Sequence, residues 1–247
     1  MTRPRVHRSP FRTYRADQRP DLVSFQIVIE ETDLWVAARE DLSVPMADHV
    51  RLLRGQIRTY AAIHTEFLPS LTPLQAAPGA PEIIRRMCRA GELTDVGPMA
   101  AVAGTVAQMV AEKFCRESPD LLIENGGDTY LYSTRDRHIG ILTMPEEDMR
   151  VCVHVPAEEF PCSFCASSAT IGHSLSFGKA DLVVTRSRDA ALADAAATAL
   201  ANALKGAEAM DRVLDMARAW EGIGLDGVFA QCEGRVGVWG KMELSVL

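Results

Sequence analysis

Leu121-Leu122-Ile123-Glu124-Asn125-Gly126-Gly127-Asp128-Thr129-Tyr130-Leu131-Tyr132-Ser133 is the stretch on which the fold reading turns. Two apolar runs, Leu121 to Glu124 and Thr129 to Ser133, flank a corner in which two glycines stand between an amide and a carboxylate. Asn-Gly is the commonest short signal of a β-hairpin, so the stretch predicts two antiparallel strands and a tight turn. The paired glycines also permit positive φ and let a ligand approach bare backbone, with Asn125 and Asp128 as polar groups beside it. Taken alone, the turn reads first as a plain hairpin and second as a binding corner.

Downstream, strand patterns continue at His138 to Thr143, Arg150 to Val155, Ser163 to Thr170 and Asp181 to Thr185. Ser187 is the expected cap of an alanine-rich helix from Asp189 to Leu204. A further helix follows Gly206 and runs to Trp220. Gly227 to Cys232 and Val236 to Val246 read as a closing hairpin around Glu233-Gly234.

Upstream, Asp95 opens an expected helix from Gly97 to Glu117 that is apolar on most faces and so belongs in a core. Gly104 within it costs about 1 kcal/mol against Ala, which predicts that another backbone or a ligand comes close there. Pro81 to Ala90 reads as a shorter helix ended by Gly91. Met46, Val50, Leu53, Ile57, Tyr60, His64 and Phe67 form one apolar stripe. Ser43 is its expected N-cap, Pro69 its stop, and His64 a hydrogen-bonded core histidine. Val23 to Ile29 alternates and pairs with Leu34 to Ala38 as a hairpin, with Phe11 to Arg15 as an optional third strand. Long helices interleaved with meandering strands predict an α+β fold, with mixed or antiparallel sheets, rather than a βαβ alternation. No convincing linker divides the chain. Residues 1–20 are expected as a basic tail and first strand, and residues 21–247 as one domain.

The chain has 247 residues, 47% of them hydrophobic and 24% charged, a composition that excludes disordered, collagen-like and disulfide-scaffold classes. Residues 1–20 hold six Arg against the single acid Asp17, so the formal charge of −7 leaves about −12 on the body. An acidic body argues against nucleic acid as the main partner. The longest apolar-and-small run, Pro98 to Ala111, is interrupted by Gln108 and is too short to span a bilayer. The Arg-rich start lacks the features of a secretory signal. A cytoplasmic location with six reduced cysteines is therefore expected.

Two more segments carry polar chemistry. In Ala193-Asp194-Ala195-Ala196-Ala197-Thr198 the carboxylate and hydroxyl are four apart, so they project from one helix face. Such a pair can share one magnesium ion, phosphate oxygens and water filling the octahedron. A solvated polar stripe, or a threonine bonded back to the preceding turn, is the alternative. Ser167-Ser168-Ala169-Thr170-Ile171-Gly172-His173-Ser174, continuing to Gly178-Lys179-Ala180-Asp181, makes a hydroxyl- and glycine-rich loop suited to anions. Ser168 and Thr170 are its candidate binding groups, and His173 its candidate acid/base.

In this order the three segments resemble the ApbE-like family, the FAD:protein FMN transferases once called thiamine-biosynthesis lipoproteins, and most closely its small uncharacterised soluble branch. Asn125-Gly126-Gly127-Asp128 matches the family's Asn-x-Gly-Gly-Asp turn without its spacer, and Ala193-Asp194…Thr198 matches its Ala-Asp-x-x-x-Thr helix in full. The resemblance implies the ApbE-like fold, a cleft for FAD or FMN, and magnesium held by Asp194 and Thr198. Gly104, Asn125, Gly126, Gly127, Asp128, Ser168 and Thr170 would then shape the nucleotide site. The implied reaction moves FMN from FAD to a Ser or Thr hydroxyl of a protein acceptor and releases AMP. Transferases of the family carry Lys-Gly-x-x-x-Asp before the turn; here Ala103 and Gln108 occupy the charged positions. A divergent FMN transferase or FAD-pyrophosphate-cleaving enzyme is one expectation. A non-catalytic binding or assembly protein is the other, and the oligomeric state is left open, a homo-oligomer included. Cys152-Val153-His154 with Cys162-Ser163-Phe164-Cys165 offers a competing metal or redox site.

Overall fold

The computed structural model describes residues 21–141, 151–168 and 180–246. The optional strand at Phe11 to Arg15, the basic tail, Thr170, His173 and Lys179 lie outside these residues.

The order of elements is β1 (Val23–Ile29), β2 (Thr32–Ala38), α1 (Ser43–Ile63), α2 (Glu82–Thr94), α3 (Val102–Phe114), β3 (Leu121–Asn125) and β4 (Asp128–Tyr132). Then come β5 (Arg137–Ile141), β6 (Val151–Val155), β7 (Cys162–Ser167), β8 (Leu182–Ser187), α4 (Ala190–Ala203), α5 (Met210–Ala219), β9 (Leu225–Cys232), β10 (Arg235–Gly240) and β11 (Leu244–Val246). Eight strands form one antiparallel sheet in the order β1-β2-β3-β4-β7-β8-β9-β10, and β11-β6-β5 form a smaller antiparallel sheet. The α+β expectation holds, and every strand pair is antiparallel.

Alternation along the central strands places one set of side chains on each face. Leu34, Val36, Leu121, Ile123 and Tyr130 join a core with Met46, Leu53, Ile83, Met87, Val106 and Val110 of the helices. The opposite set, Leu122, Leu131, Phe164, Val184 and Phe229, packs on Ile139, Ile141, Val153 and Val155 of the small sheet. The large sheet is thus the middle layer of three. A strand buried on both faces reads as a continuous apolar run, which is the pattern of Leu182-Val183-Val184.

Several element ends differ from expectation. Helix α1 stops at Ile63, well before Pro69, where the His64 N–H donates to the Tyr60 carbonyl. His64 is half-buried and stacks on the Tyr60 ring at 4.2 Å rather than bonding in the core. Leu42, not Ser43, holds the N-cap position, and the Asp41 carboxylate accepts the Ser43 N–H. Helix α2 runs through Gly91 to Thr94, and Asp95 ends it in a left-handed conformation (φ 58°) instead of opening the next helix. A 3-10 turn at Pro98–Ala101 leads into α3, which ends at Phe114. Asp189, not Ser187, caps α4, accepting from the N–H groups of Ala191 and Leu192; Ser187 still belongs to β8. The last expected strand is broken after Gly240 (φ 78°), which lets β11 cross to the small sheet. Among the described residues no helix is long and apolar enough to cross a membrane.

Candidate functional site

Helix α4 is built almost wholly of small residues, and Ala190 to Ala201 are all buried. The short side chains let it lie close on β7 and β8 and against α3. Where α3 and α4 meet, position 104 carries no Cβ. One added there would fall 2.4 Å from the Ala190 carbonyl oxygen and 2.9 Å from the Asp194 Cβ. The expected close approach at Gly104 is therefore by protein backbone.

That approach produces a reciprocal cap. The Asp194 carboxylate accepts the Gly104 N–H at 2.8 Å, and it also takes the N–H of Ala103. Both donors belong to the first turn of α3, where backbone N–H groups have no partner within the helix. In return, Gln108 Oε1 accepts the Ala190 N–H at 2.7 Å, at the first turn of α4. Gln108 Nε2 donates to Glu112 Oε1 at 2.8 Å, and Arg86 pairs with the same carboxylate.

The glycine corner meets this helix pair from the sheet. Asn125 and Asp128 close the β3–β4 ladder, and Gly126 (φ 73°) and Gly127 (φ 120°) make the turn. Nothing lies within 4 Å of where a Cβ would sit on either glycine. Asn125 Nδ2 donates to the Ala103 carbonyl at 3.1 Å, tying the corner to α3. Asp128 Oδ1 accepts the Ala166 N–H of β7 at 3.1 Å, and the Cys165 thiol lies between Asp128 and the Ala190 carbonyl.

Two carboxylates thus face one another inside the protein. Burial pushes Asp128 up to about 7, against the Ala166 N–H and the Cys165 thiol. Burial, and after it the Asp128 charge, pushes Asp194 well above the usual carboxylate range, against the two α3 N–H groups. Among the described residues no Lys or Arg contributes to either shift. Thr198, one turn on, is 8% exposed. Thr94 and Thr105 bond back to the carbonyls of Ala90 and Ala101; among the described residues Thr198 makes no such bond.

Asp128, Asp194, Gly104 and the glycine corner therefore come together, and Thr198 lies one turn after Asp194 on α4. Ser168 is placed otherwise: its hydroxyl donates to the Asp181 carbonyl at 2.5 Å. The competing cysteine site is not assembled. Cys162 packs between the sheets with Phe164, whereas Cys165 faces Ala193 and Ala197 across the other side of β7. Cys152 belongs to the small sheet. Burial raises the Cys162 thiol to about 12 and the Cys165 thiol well above its ordinary value, so both stay protonated. Among the described residues no three His, Cys, Asp or Glu side chains are grouped to hold a metal. Sequence reasoning missed the interlocking helix caps and the role of Ser167, whose hydroxyl is buried without a partner among the described residues. Ser167 stands in the hydroxyl-rich segment read as suited to anions, but Ser168 and Thr170 rather than Ser167 are the groups singled out there.

Residues 12–222 match the family model described as "AbpE bacteria". The chain is 34% identical over 222 residues to the UPF0280 protein of Methanocaldococcus jannaschii, covering 88% of this chain and 90% of that one. It is 36% identical over 205 residues to the UPF0280 protein of Methanopyrus kandleri, covering 81% and 83%. In fold it is similar to the flavin transferase ApbE from Vibrio cholerae, with a TM-score of 0.59, 11% identity, and coverage of 89% and 97%. The ApbE protein of Thermotoga maritima gives a TM-score of 0.60 at 11% identity, covering 87% and 96%. The chain belongs to the ApbE-like family, together with the UPF0280 proteins.

Proposed function

We propose that the protein binds a flavin dinucleotide with magnesium in the crevice between the glycine corner and α4, and that Asp194 and Thr198 hold the metal. The observation that carries this reading is the pair of buried carboxylates, Asp128 and Asp194, with no Lys or Arg of the described residues among the influences on either. Buried charge without a counter-charge is costly, and a hard divalent cation with oxygen ligands supplies what the site lacks. The donor set fits magnesium, which takes one or two carboxylates plus phosphate and water rather than an all-protein cage. Bound there, the ion would neutralise charge on the phosphates of the dinucleotide. The chain's own part is positional. The Gly104 and Ala103 N–H groups orient Asp194, the Ala166 N–H orients Asp128, and the open glycine corner leaves backbone accessible to phosphate.

The activity in this reading is FMN transfer from FAD to a protein hydroxyl, or hydrolysis of the FAD pyrophosphate; both release AMP. Incubation of the protein with FAD and magnesium, followed by chromatography for AMP, tests it. AMP release that is lost in Asp194→Asn supports the reading, and its absence from the wild type rejects turnover.

A second reading is a binding or assembly protein that keeps the nucleotide site without the transfer. One observation favours it. Gln108, where transferases of the family carry an aspartate, has both ends of its side chain engaged, on the Ala190 N–H and on Glu112. In that case FAD binds with magnesium and remains intact.

A further inference from the structure

We propose that the Ser167 hydroxyl is a binding group of this site, donating a hydrogen bond to a phosphate oxygen of the dinucleotide; the proposal rests on the nucleotide reading above. Ser167 is the last residue of β7 and is 3% exposed, yet among the described residues its Oγ has no hydrogen-bond partner. A buried hydroxyl left unpaired costs about 1–3 kcal/mol, and unpaired groups in native structures mark sites completed by something else.

Its position follows from the strand. Side chains alternate along β7. Cys165 faces Ala193 and Ala197 of α4, and Ser163 on the same side donates to the Ser187 carbonyl. Ser167 therefore faces the helical layer too, one step further along. Thr129 pairs with Phe164 and Tyr130 with Ser163. Past the end of that ladder the next residue of β4, Asp128, starts at the glycine turn and reaches across to β7 one residue before Ser167. The Asp128–Ala166 hydrogen bond holds the two chains together at this level. The orphaned hydroxyl thus stands next to the corner whose glycines leave open space, on the face shared with Asp128 and Asp194. The neighbouring Ser168 is already bonded to Asp181 and points to the other face.

A phosphate oxygen is the fitting acceptor. A hydroxyl can donate, whereas the two carboxylates, ionised beside a bound cation, can only accept, and a hydrogen bond to a charged acceptor is worth about tenfold in affinity or more. The test is calorimetric titration of FAD, with magnesium, into wild type, Ser167→Ala and the near-isosteric Ser167→Cys, together with melting of each protein alone. The expected result is FAD affinity about tenfold weaker in both variants, with melting of the free proteins unchanged or raised. Wild-type affinity in Ser167→Ala overturns this proposal and leaves the nucleotide reading standing. Free-protein melting lowered by several degrees in both variants makes Ser167 structural and also overturns it. A wild type that takes up no FAD overturns the nucleotide reading, and this proposal with it.

Discussion

The Asp194 carboxylate and the Gly104 N–H, ninety residues apart in the chain, meet at 2.8 Å. One carboxylate thereby does two things: it caps a helix to which it does not belong, and it faces a second buried acid, Asp128. Gln108 returns the cap from α3 to α4, so the two helices are locked in register by their own unsatisfied ends.

Gly104→Ala tests the contact. Alanine should favour a helix by about 1 kcal/mol, but its Cβ would lie 2.4 Å from the Ala190 carbonyl oxygen, a backbone atom without freedom to move. Overpacking of this kind costs about 1–3 kcal/mol. A lower melting temperature is expected by thermal denaturation; a gain would show that α3 and α4 are not in close contact.

Asp194 can be dissected by two substitutions. Asp194→Asn keeps an oxygen for the Gly104 N–H and cannot ionise beside Asp128, so melting without ligand should hold or rise. Asp194→Ala removes the cap and should cost about 1 kcal/mol. Magnesium-dependent FAD affinity should fall in both. Equal melting of the two variants would remove the capping role.

Gln108→Ala leaves the Ala190 N–H unpaired in the interior and frees Glu112 from one donor. A loss of about 1–2 kcal/mol is expected in denaturant titration. Stability equal to the wild type would mean that Gln108 is free for a ligand.

Asp120 sets an acid limit on stability. Burial would raise its carboxyl, but the Thr134 N–H and hydroxyl and the Arg39 guanidinium outweigh burial and hold it well below the usual carboxylate range. A group whose folded value is depressed stabilises above its unfolded value, near 4, and that contribution is lost as pH falls further. Melting measured from pH 7 down to pH 2 should therefore fall more steeply in the wild type than in Asp120→Asn. Asp120→Asn should also be less stable at pH 7 by about 2 kcal/mol. Parallel profiles would contradict this.

The hairpin at Leu121 to Tyr132 was legible because alternation and Asn-Gly are local signals. The order of α4, the glycine corner and Gly104 was legible for the same reason. Asp194 and Thr198 were readable as one face because helical spacing is fixed. The ends were not. Asp95 and Gly91 both suggest a boundary near residue 91, but Gly91 stays helical with the Val96 carbonyl packed 2.6 Å from where a Cβ would sit. The stop lies at Asp95, which turns left-handed while its own N–H and that of Val96 close on the Gly91 carbonyl. The roles of Gln108 and Ser167 depend on partners 82 residues away or on the absence of any partner, and no local pattern encodes either. The C-x-x-C motif misleads because on a strand its two thiols fall on opposite faces.

The most direct measurement is FAD titration followed calorimetrically, with magnesium and with chelator, on the wild type and on Asp194→Asn. The account predicts binding by the wild type that weakens at least tenfold on chelation, and weak, magnesium-insensitive binding by the variant. Tight binding indifferent to both magnesium and Asp194, or no binding at all, would contradict it.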